Sequence, residues 1–239
     1  MCGIVGYIGK EQVAPILLDG LARLEYRGYD SAGVAVYSQK KQALCVHKAK
    51  GRLQVLSDML RGGAAVDGTV GIGHTRWATH GAPSDVNSHP QVSQSGRIAV
   101  VHNGIIENYA ELKSFLMSKG VEFTSQTDTE VVAQLIDYFY QGDLLEAVGR
   151  VLHRIQGAYA LGILCADAPD QLIAVRKDSP LILGYGEGCN FLASDVTAII
   201  KYTRDVVYME DGELAVLTRE GIQCYNHLMQ PIEKEISHV

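Results

Sequence analysis

The spacing of apolar residues at the start of the chain predicts a strand followed by a helix. Residues 2–9, CGIVGYIG, combine small and β-branched residues, which is typical of a strand buried on both faces. Further apolar residues then recur on one helical face: Val13, Ile16, Leu17, Leu21 and Leu24. An amphipathic helix is therefore expected directly after the first strand.

Four strand-like segments follow, with a short helix between the second and the third. The first two, AGVAVYS and ALCVHKAK, are predicted to form a hairpin. Residues 53–60 have the pattern of the short helix. TVGIGHTRWAT and IAVVHNGII both begin with apolar residues and run into polar ones. Their polar ends are candidate positions for catalytic or substrate-binding residues.

The middle of the chain predicts a run of helices. They are expected over three segments: residues 112–116, 131–139 and 144–155. The second helix is predicted to open with a capping box formed by Thr127, Asp128, Thr129 and Glu130. These helices separate two groups of predicted strands.

The remainder of the chain predicts mainly strands. YALGILCA, QLIAVRK and FLASD have strand patterns, and they are followed by a short helix near residues 196–202 and a hairpin that turns at Asp211-Gly212. Strands grouped on either side of a run of helices favour α+β layers over a regularly alternating parallel fold. We expect one such domain over residues 1–239, because no linker-like or low-complexity tract divides the chain.

Composition and charge exclude several classes of partner. The 239 residues are 47% hydrophobic, with a net charge of -6, and the longest basic cluster is only Lys48 to Arg52. Nucleic acid is therefore not an expected partner. Apolar stretches end well before the roughly 18 residues that a bilayer span needs, so no membrane contact is expected. The start of the chain lacks a signal-peptide pattern, which favours the cytoplasm.

The cysteines and histidines do not indicate a metal site. The five cysteines are scattered without a C-x-x-C pair, so they are expected to be reduced. Four histidines cluster in sequence, but their spacing matches no common zinc pattern: His74, His80, His89 and His102. We expect neither a metal nor an organic cofactor.

Cys2 differs from the other cysteines by its position. Removal of Met1, expected because residue 2 is small, would place a thiol and a free α-amine on one residue. Such an amine has a pKa of about 7.7–8.0 and can accept the thiol proton directly or through one water. Cys2 is then a candidate nucleophile for a carbonyl group. The alternative is a small core residue at the start of a strand.

Asn103 and Gly104, near the end of IAVVHNGII, are candidate donors to an oxyanion. The Asn side-chain amide and the Gly backbone N–H could converge on the charge that forms when a thiol attacks an amide. The alternative is a hairpin turn, since Asn-Gly is the commonest short hairpin signal.

The segment GIGHTRWATHG has the composition of a recognition loop. Arg76 can bind a carboxylate in bidentate fashion and Thr79 adds a donor, which suits the α-carboxylate of an amino acid. Asp128 could take the α-ammonium. The alternatives are a surface ion pair for Arg76 and compensation of the helix N-terminus for Asp128.

Several segments together resemble the N-terminal-nucleophile, or class II, glutamine amidotransferases. They are, in order, MCGIVGYIG, LEYRGYDSAG, GIGHTRWATHG, VHNGIIENY, SQTDTEV, GAYAL and FLASD. LEYRGYDSAG and GHTRWATHG favour the branch in which a glutaminase domain precedes sugar-phosphate isomerase domains. The resemblance implies a four-layer αββα sandwich with two antiparallel sheets between helices, the N-terminal-nucleophile hydrolase fold.

The resemblance also implies roles for particular residues. It places the nucleophile at Cys2, the oxyanion donors at Asn103 and Gly104, and the ammonium partner at Asp128. It implies carboxylate contacts from Arg76, Thr79 and His80, and it places Trp77 in a mobile loop that closes over the substrate. Arg27, with Asp30 as a supporting partner, matches a family position near the nucleophile.

The implied activity is hydrolysis of L-glutamine to L-glutamate and ammonia. In the full-length enzyme the ammonia would convert fructose 6-phosphate into glucosamine 6-phosphate, and that enzyme is expected to be a homodimer. The sugar isomerase domains are absent from this chain, so the complete synthesis is not expected of it alone. Two alternatives remain open: a glutamine-sensing domain without turnover, and a related hydrolase acting on another amide.

Overall fold

The computed structural model describes residues 2–239, which form five α-helices and fifteen strands. The helices are α1 (Val13–Arg23), α2 (Leu53–Met59), α3 (Tyr109–Ser118), α4 (Thr129–Phe139) and α5 (Leu144–Leu152). The first eight strands are β1 (Gly3–Ile8), β2 (Ser31–Ser38), β3 (Ala43–Lys50), β4 (Val70–Arg76), β5 (Gln91–Val92), β6 (Ile98–Ile106), β7 (Gly157–Cys165) and β8 (Leu172–Lys177). The others are β9 (Ile182–Gly186), β10 (Cys189–Ala193), β11 (Asp205–Tyr208), β12 (Glu213–Leu217), β13 (Ile222–Tyr225), β14 (Pro231–Ile232) and β15 (Ser237–His238).

The strands form two antiparallel sheets. The first sheet has eight strands in the order β15-β11-β9-β10-β1-β4-β2-β3, and the second has seven in the order β14-β13-β12-β8-β7-β6-β5. Strand β1 lies near the centre of the first sheet, between β10 and β4. All six of its residues are buried, as expected of a strand covered on both faces.

Three hydrophobic clusters show that the molecule is a four-layer sandwich. One cluster packs α1 and α2 against the outer face of the first sheet, for example Leu17 and Leu56 against Val34. A second joins the inner faces of the two sheets, with Ile72 and Val101 among its members. The third packs α3, α4 and α5 against the outer face of the second sheet. The predicted α+β class and αββα layering are confirmed.

Most predicted elements are present, but the hairpin at Asp211-Gly212 is wrong. Strand β11 pairs with β9 and β15 in the first sheet, whereas β12 pairs with β8 and β13 in the second. The Asp-Gly pair therefore links the two sheets. Gly212 supplies a positive φ of 81°, and its N–H donates to the Arg176 carbonyl at 2.9 Å.

The predicted helix boundaries need smaller corrections. The short helix near residues 196–202 is a single 3₁₀ turn over Val196–Ala198, and α5 ends at Leu152. The capping box is half formed, since Thr127 Oγ1 accepts from the Glu130 N–H at 3.3 Å. The Glu130 carboxylate instead accepts the N–H groups of Thr124 and Ser125, so it stabilises the loop before α4.

The longest helices, α1 and α4, have 11 residues each. Across residues 2–239, no helix has the length and apolar character needed to cross a membrane.

Candidate active site

A cavity of about 390 Å³ lies where the start of β1, the end of β4, strand β6 and the N-terminus of α4 meet. Its walls are contributed by residues from both sheets: Cys2, Arg27, Arg76, Trp77, Thr79, His89, His102, Asn103, Gly104, Ile105, Asp128, Thr129, Ser179, Pro180 and Ser194. Eight of the ten residues singled out from sequence are in this set; Asp30 and His80 are not.

Strand pairing brings Cys2 to the end of β4. Gly3 is paired with Thr75 across β1 and β4, so the residue before Gly3 lies beside the residues that follow Thr75. The Trp77 N–H donates to Cys2 Sγ at 3.0 Å, and the thiol is 3.5 Å from the Trp77 carbonyl oxygen. The backbone of Trp77 thus holds the sulfur at the cavity wall.

The surroundings of Cys2 favour the neutral thiol. Burial raises the pKa of Cys2, and the Trp77 N–H, which favours the thiolate, offsets this only in part. A base is therefore needed before this sulfur can act as a nucleophile. The expected base is the α-amine of Cys2 after removal of Met1, and this removal concerns a residue outside the described residues 2–239.

Asn103 and Gly104 lie within strand β6 and do not form a turn. Both residues are paired with β7, Asn103 opposite Ala160 and Gly104 opposite Tyr159. Asn103 Nδ2 donates to the Cys2 carbonyl at 3.0 Å. An amide nitrogen carries two hydrogens, so a second donor remains beside the nucleophile.

The backbone at Gly104 requires glycine. Its φ is +122°, a conformation that side-chain-bearing residues rarely adopt. A Cβ atom at this position would also collide with the Ala158 carbonyl oxygen. The Asn-Gly sequence is therefore explained by a local distortion inside a strand at the cavity wall.

Arg76 is buried and faces several polar groups. Its side chain is only 3% exposed, and Nη2 donates to the carbonyl oxygens of His80 and Gly81. Nη1 is buried without a hydrogen-bond partner among residues 2–239. Buried donors nearly always have a hydrogen-bond partner. This nitrogen is therefore a candidate to bind an anionic ligand such as a carboxylate.

Asp128 is the second buried charge of the cavity. It precedes α4, and its Oδ2 accepts the N–H of Ile106 at 2.8 Å. Its Oδ1 is 3.9 Å from His80 Nδ1. His80 itself does not line the cavity, and its ring packs edge-on against Tyr109. The His80 ring therefore lies beside Asp128 without a hydrogen bond to it, whereas the His80 carbonyl accepts a hydrogen bond from Arg76.

The loop after β4 is held by Asp30. The Asp30 carboxylate accepts the N–H of Ala78 at 2.6 Å, and the Asp30 N–H donates to the Arg76 carbonyl at 2.8 Å. Asp30 is thus a support for the loop and not part of the cavity wall.

Arg27 lines the cavity and lies 3.8 Å from Asp195. Trp77 is 56% exposed at the cavity rim.

Several residues of the site were not predicted from sequence. Ser179 and Pro180 contribute walls from the loop before β9, and no local motif marks them. Ser194, directly after β10, lies within the FLASD segment quoted for the resemblance, but no role is predicted for it there. In the sequence, His89 and His102 are candidates only for a metal site, which their spacing does not support. With His74 they form a buried stack in which ring centroids are 4.2 Å and 6.4 Å apart. Within residues 2–239 no group of three or more acidic, histidine or cysteine side chains is arranged for a metal ion.

Comparison of the fold places the molecule in a known class. It is similar to the glutamine phosphoribosylpyrophosphate amidotransferase of B. subtilis, solved with ADP and GMP, with a TM-score of 0.82 and 28% identity over 96% of this chain and 50% of that one. A structure described as the allosteric regulatory enzyme of purine biosynthesis gives a TM-score of 0.81 and 29% identity over 96% of this chain and 50% of that one. The fold and the thiol-containing cavity define an amidotransferase of the N-terminal-nucleophile type.

The sequence comparison is more specific. The chain belongs to the glutamine amidotransferase domain family, whose profile matches residues 74–201. It is 56% identical to the glutamine–fructose-6-phosphate aminotransferase (isomerizing) of Caldanaerobacter subterraneus and 54% identical to that of Clostridium acetobutylicum. Each match covers 100% of this chain and 39% of the relative. The chain thus spans about two fifths of the length of these curated relatives.

Proposed function

We propose that this domain hydrolyses L-glutamine to L-glutamate and ammonia through a γ-glutamyl thioester on Cys2. One observation carries the proposal: the Cys2 thiol shares its cavity with the oppositely charged groups of Arg76 and Asp128. These charges match the α-carboxylate and the α-ammonium of an amino acid. When Arg76 and Asp128 bind the two α-groups of the substrate, its side-chain amide remains available for attack by the Cys2 thiol.

Binding of the α-carboxylate is assigned to Arg76 Nη1, with the Thr79 hydroxyl as a further donor. The buried, unpartnered Nη1 supports this assignment, because an incoming carboxylate would satisfy it. The α-ammonium is assigned to Asp128 Oδ1. The other carboxylate oxygen already accepts the Ile106 N–H, which fixes the orientation of the group.

The first half of the reaction forms the thioester. The proton of the Cys2 thiol passes to a base, the sulfur attacks the γ-carbonyl carbon, and the carbonyl oxygen becomes an oxyanion. Asn103 Nδ2 and the Gly104 N–H are assigned as its donors. Collapse of this intermediate breaks the C–N bond, and the protonated base gives its proton to the departing ammonia.

The second half releases glutamate. The same base takes a proton from water, the hydroxide adds to the thioester carbonyl, and the C–S bond breaks. The protonated base then returns its proton to the departing Cys2 sulfur, which restores the thiol. We assign the base to the α-amine of Cys2 after loss of Met1. Burial of the thiol, which keeps it protonated, makes such a base necessary. Movement of the Trp77 loop over the cavity would exclude water from these steps.

In a longer protein, the ammonia would serve fructose 6-phosphate. The names of the two bacterial relatives, and their greater length, support an acceptor domain of the sugar-phosphate isomerase type that is beyond this chain. We also propose that this longer protein is a homodimer. We infer a cytoplasmic location because the nucleophile must stay reduced, and all five cysteines are free thiols.

Incubation with candidate substrates tests the proposed function. We expect glutamate release from glutamine, and little or none from asparagine or N-acyl amides. Asparagine is one methylene shorter between its α-groups and its amide, and N-acylation removes the α-ammonium charge that Asp128 is assigned to bind. Intact mass after treatment with a diazo-ketone analogue of glutamine should show one adduct on a chain lacking Met1. Binding of glutamine without any turnover would favour a sensing domain, and turnover of asparagine would favour another hydrolase.

Asp128→Asn should weaken glutamine binding. The Asn side chain keeps an oxygen for the Ile106 N–H but loses the negative charge opposite the ammonium. Since hydrogen bonds to charged groups contribute about 1.5–3 kcal/mol, we expect KM to rise roughly 10- to 100-fold. Steady-state glutaminase kinetics would measure this, and kcat should change much less than KM.

Asp143→Asn is a matched control for this substitution. Asp143 caps another helix, α5, and accepts the Glu146 N–H at 3.1 Å, a role that Asn also fulfils. Its kinetics should equal those of the unmodified protein. An unchanged KM in Asp128→Asn would contradict the assignment of Asp128.

A further inference from the structure

His74 is a buried residue of β4 that neither lines the cavity nor has a role in the steps above. Its side chain is fully buried, and its Nε2 lies 3.0 Å from two oxygen atoms, the His102 carbonyl and Asn103 Oδ1. Both oxygens are acceptors only, so Nε2 must carry the ring hydrogen. Nδ1 is then bare, and it has no hydrogen-bond partner among residues 2–239.

These contacts permit only one orientation of the Asn103 amide. Its oxygen faces the Nε2–H of His74, and its nitrogen faces the Cys2 carbonyl oxygen at 3.0 Å. A flipped amide would set an N–H group against the His74 donor and an oxygen against the Cys2 carbonyl. Both contacts would then be repulsive in a buried place.

The ring of His74 is itself held in place and uncharged. It stacks on His89 with 4.2 Å between centroids and 22° between planes. Burial lowers the pKa of His74 to about 3, so the ring stays neutral through the range in which a glutaminase would work. Its Nε2–H is therefore a constant donor that does not vary with pH.

We propose that His74 is a positioning residue, which holds the Asn103 carboxamide so that its nitrogen donates toward the oxyanion formed at Cys2. The proposal rests on the glutaminase function argued above. His74 touches neither substrate nor sulfur, and it acts through one hydrogen bond to Asn103 Oδ1. A hydrogen bond from Asn103 Nδ2 to the oxyanion stabilises the transition state, in which the oxyanion forms, more than it stabilises the bound substrate.

The first test compares two substitutions of His74. His74→Leu removes the donor, whereas the side-chain nitrogen of His74→Gln can take the place of Nε2. We expect kcat to fall roughly 10- to 100-fold in the Leu variant with KM within about threefold, and to recover most of this loss in the Gln variant. Equal losses in both variants, or a loss confined to KM, would overturn the proposal.

A double-mutant cycle separates positioning from a general structural effect. If His74 acts through Asn103, His74→Leu should change kcat less than about twofold in an Asn103→Ala background. A general packing defect would lower kcat by the same factor in both backgrounds. That result would contradict a role through Asn103.

Nuclear magnetic resonance gives a readout that needs no turnover. In the unsubstituted 239-residue chain, the ¹⁵N shifts of His74 should show a protonated Nε2 and a bare Nδ1 from about pH 5 to 9, as follows from a strongly lowered pKa. A protonated Nδ1 in this range would overturn the proposal, even if His74→Leu failed to fold. Glutamate release by the unsubstituted chain separately decides the proposed function.

Discussion

Cys2→Ala should abolish glutamate release, with kcat lowered by at least about 10⁴-fold, because loss of the nucleophile removes the covalent route altogether. The substitution removes one sulfur atom from a half-buried position, so the fold should be retained. A coupled assay for glutamate measures the loss, and circular dichroism checks the fold. The diazo-ketone adduct should also disappear.

Cys45→Ala provides the matched control. Cys45 is likewise half-buried, but it lies on β3 and is not part of the cavity wall. This variant should keep both activity and adduct. Activity that survives in Cys2→Ala at an undiminished rate would exclude the thioester and remove the basis of the assigned mechanism.

Asn103→Ala is expected to have the second largest effect. Removal of one oxyanion donor typically lowers kcat by about 10²–10³-fold. Asn103 Nδ2 is 3.0 Å from the Cys2 carbonyl and is the side-chain donor assigned to this role. Since the oxyanion is absent from the bound substrate, KM should change little. Steady-state kinetics over a range of glutamine concentrations separates the two parameters.

Asn103→Asp tests whether the donor, and not the shape, is responsible. The Asp side chain fits the same space and keeps an oxygen toward His74, but it has no N–H and brings a negative charge beside the oxyanion. Its kcat should be at least as low as that of the Ala variant. Near-normal turnover in Asn103→Asp would show that the oxyanion is stabilised elsewhere.

Residues at polar strand ends were the part of the site that the sequence could predict. Cys2 directly precedes β1, and Arg76 ends β4, the antiparallel neighbour of β1, so strand pairing alone brings these two residues together. Asn103 and Asp128 came from a chemical pattern of donors and charge, and both line the same cavity. Local sequence predicts these positions because a charged or polar side chain at the end of a buried strand can be accommodated in only a few environments.

Contacts between distant segments could not be predicted in the same way. The histidines gave no metal pattern, and the role of His74 depends on a neighbour 29 positions away. The hairpin predicted at Asp211-Gly212 is wrong because a turn signal does not specify which strands will pair. Nor does it tell a turn from the strand distortion at Gly104. Whether such a glycine forms a hairpin turn, a link between sheets or a distortion within a strand depends on how the complete sheets pair and pack.

The chain contains one tryptophan, and that residue is Trp77, whose backbone holds the Cys2 sulfur while its indole is 56% exposed. Native emission excited at the red edge of the protein absorption therefore originates from a single place, the rim of this cavity. Occupancy and loop motion can be followed there in real time without attaching a dye. Quenching by iodide would report how far the indole is withdrawn from water.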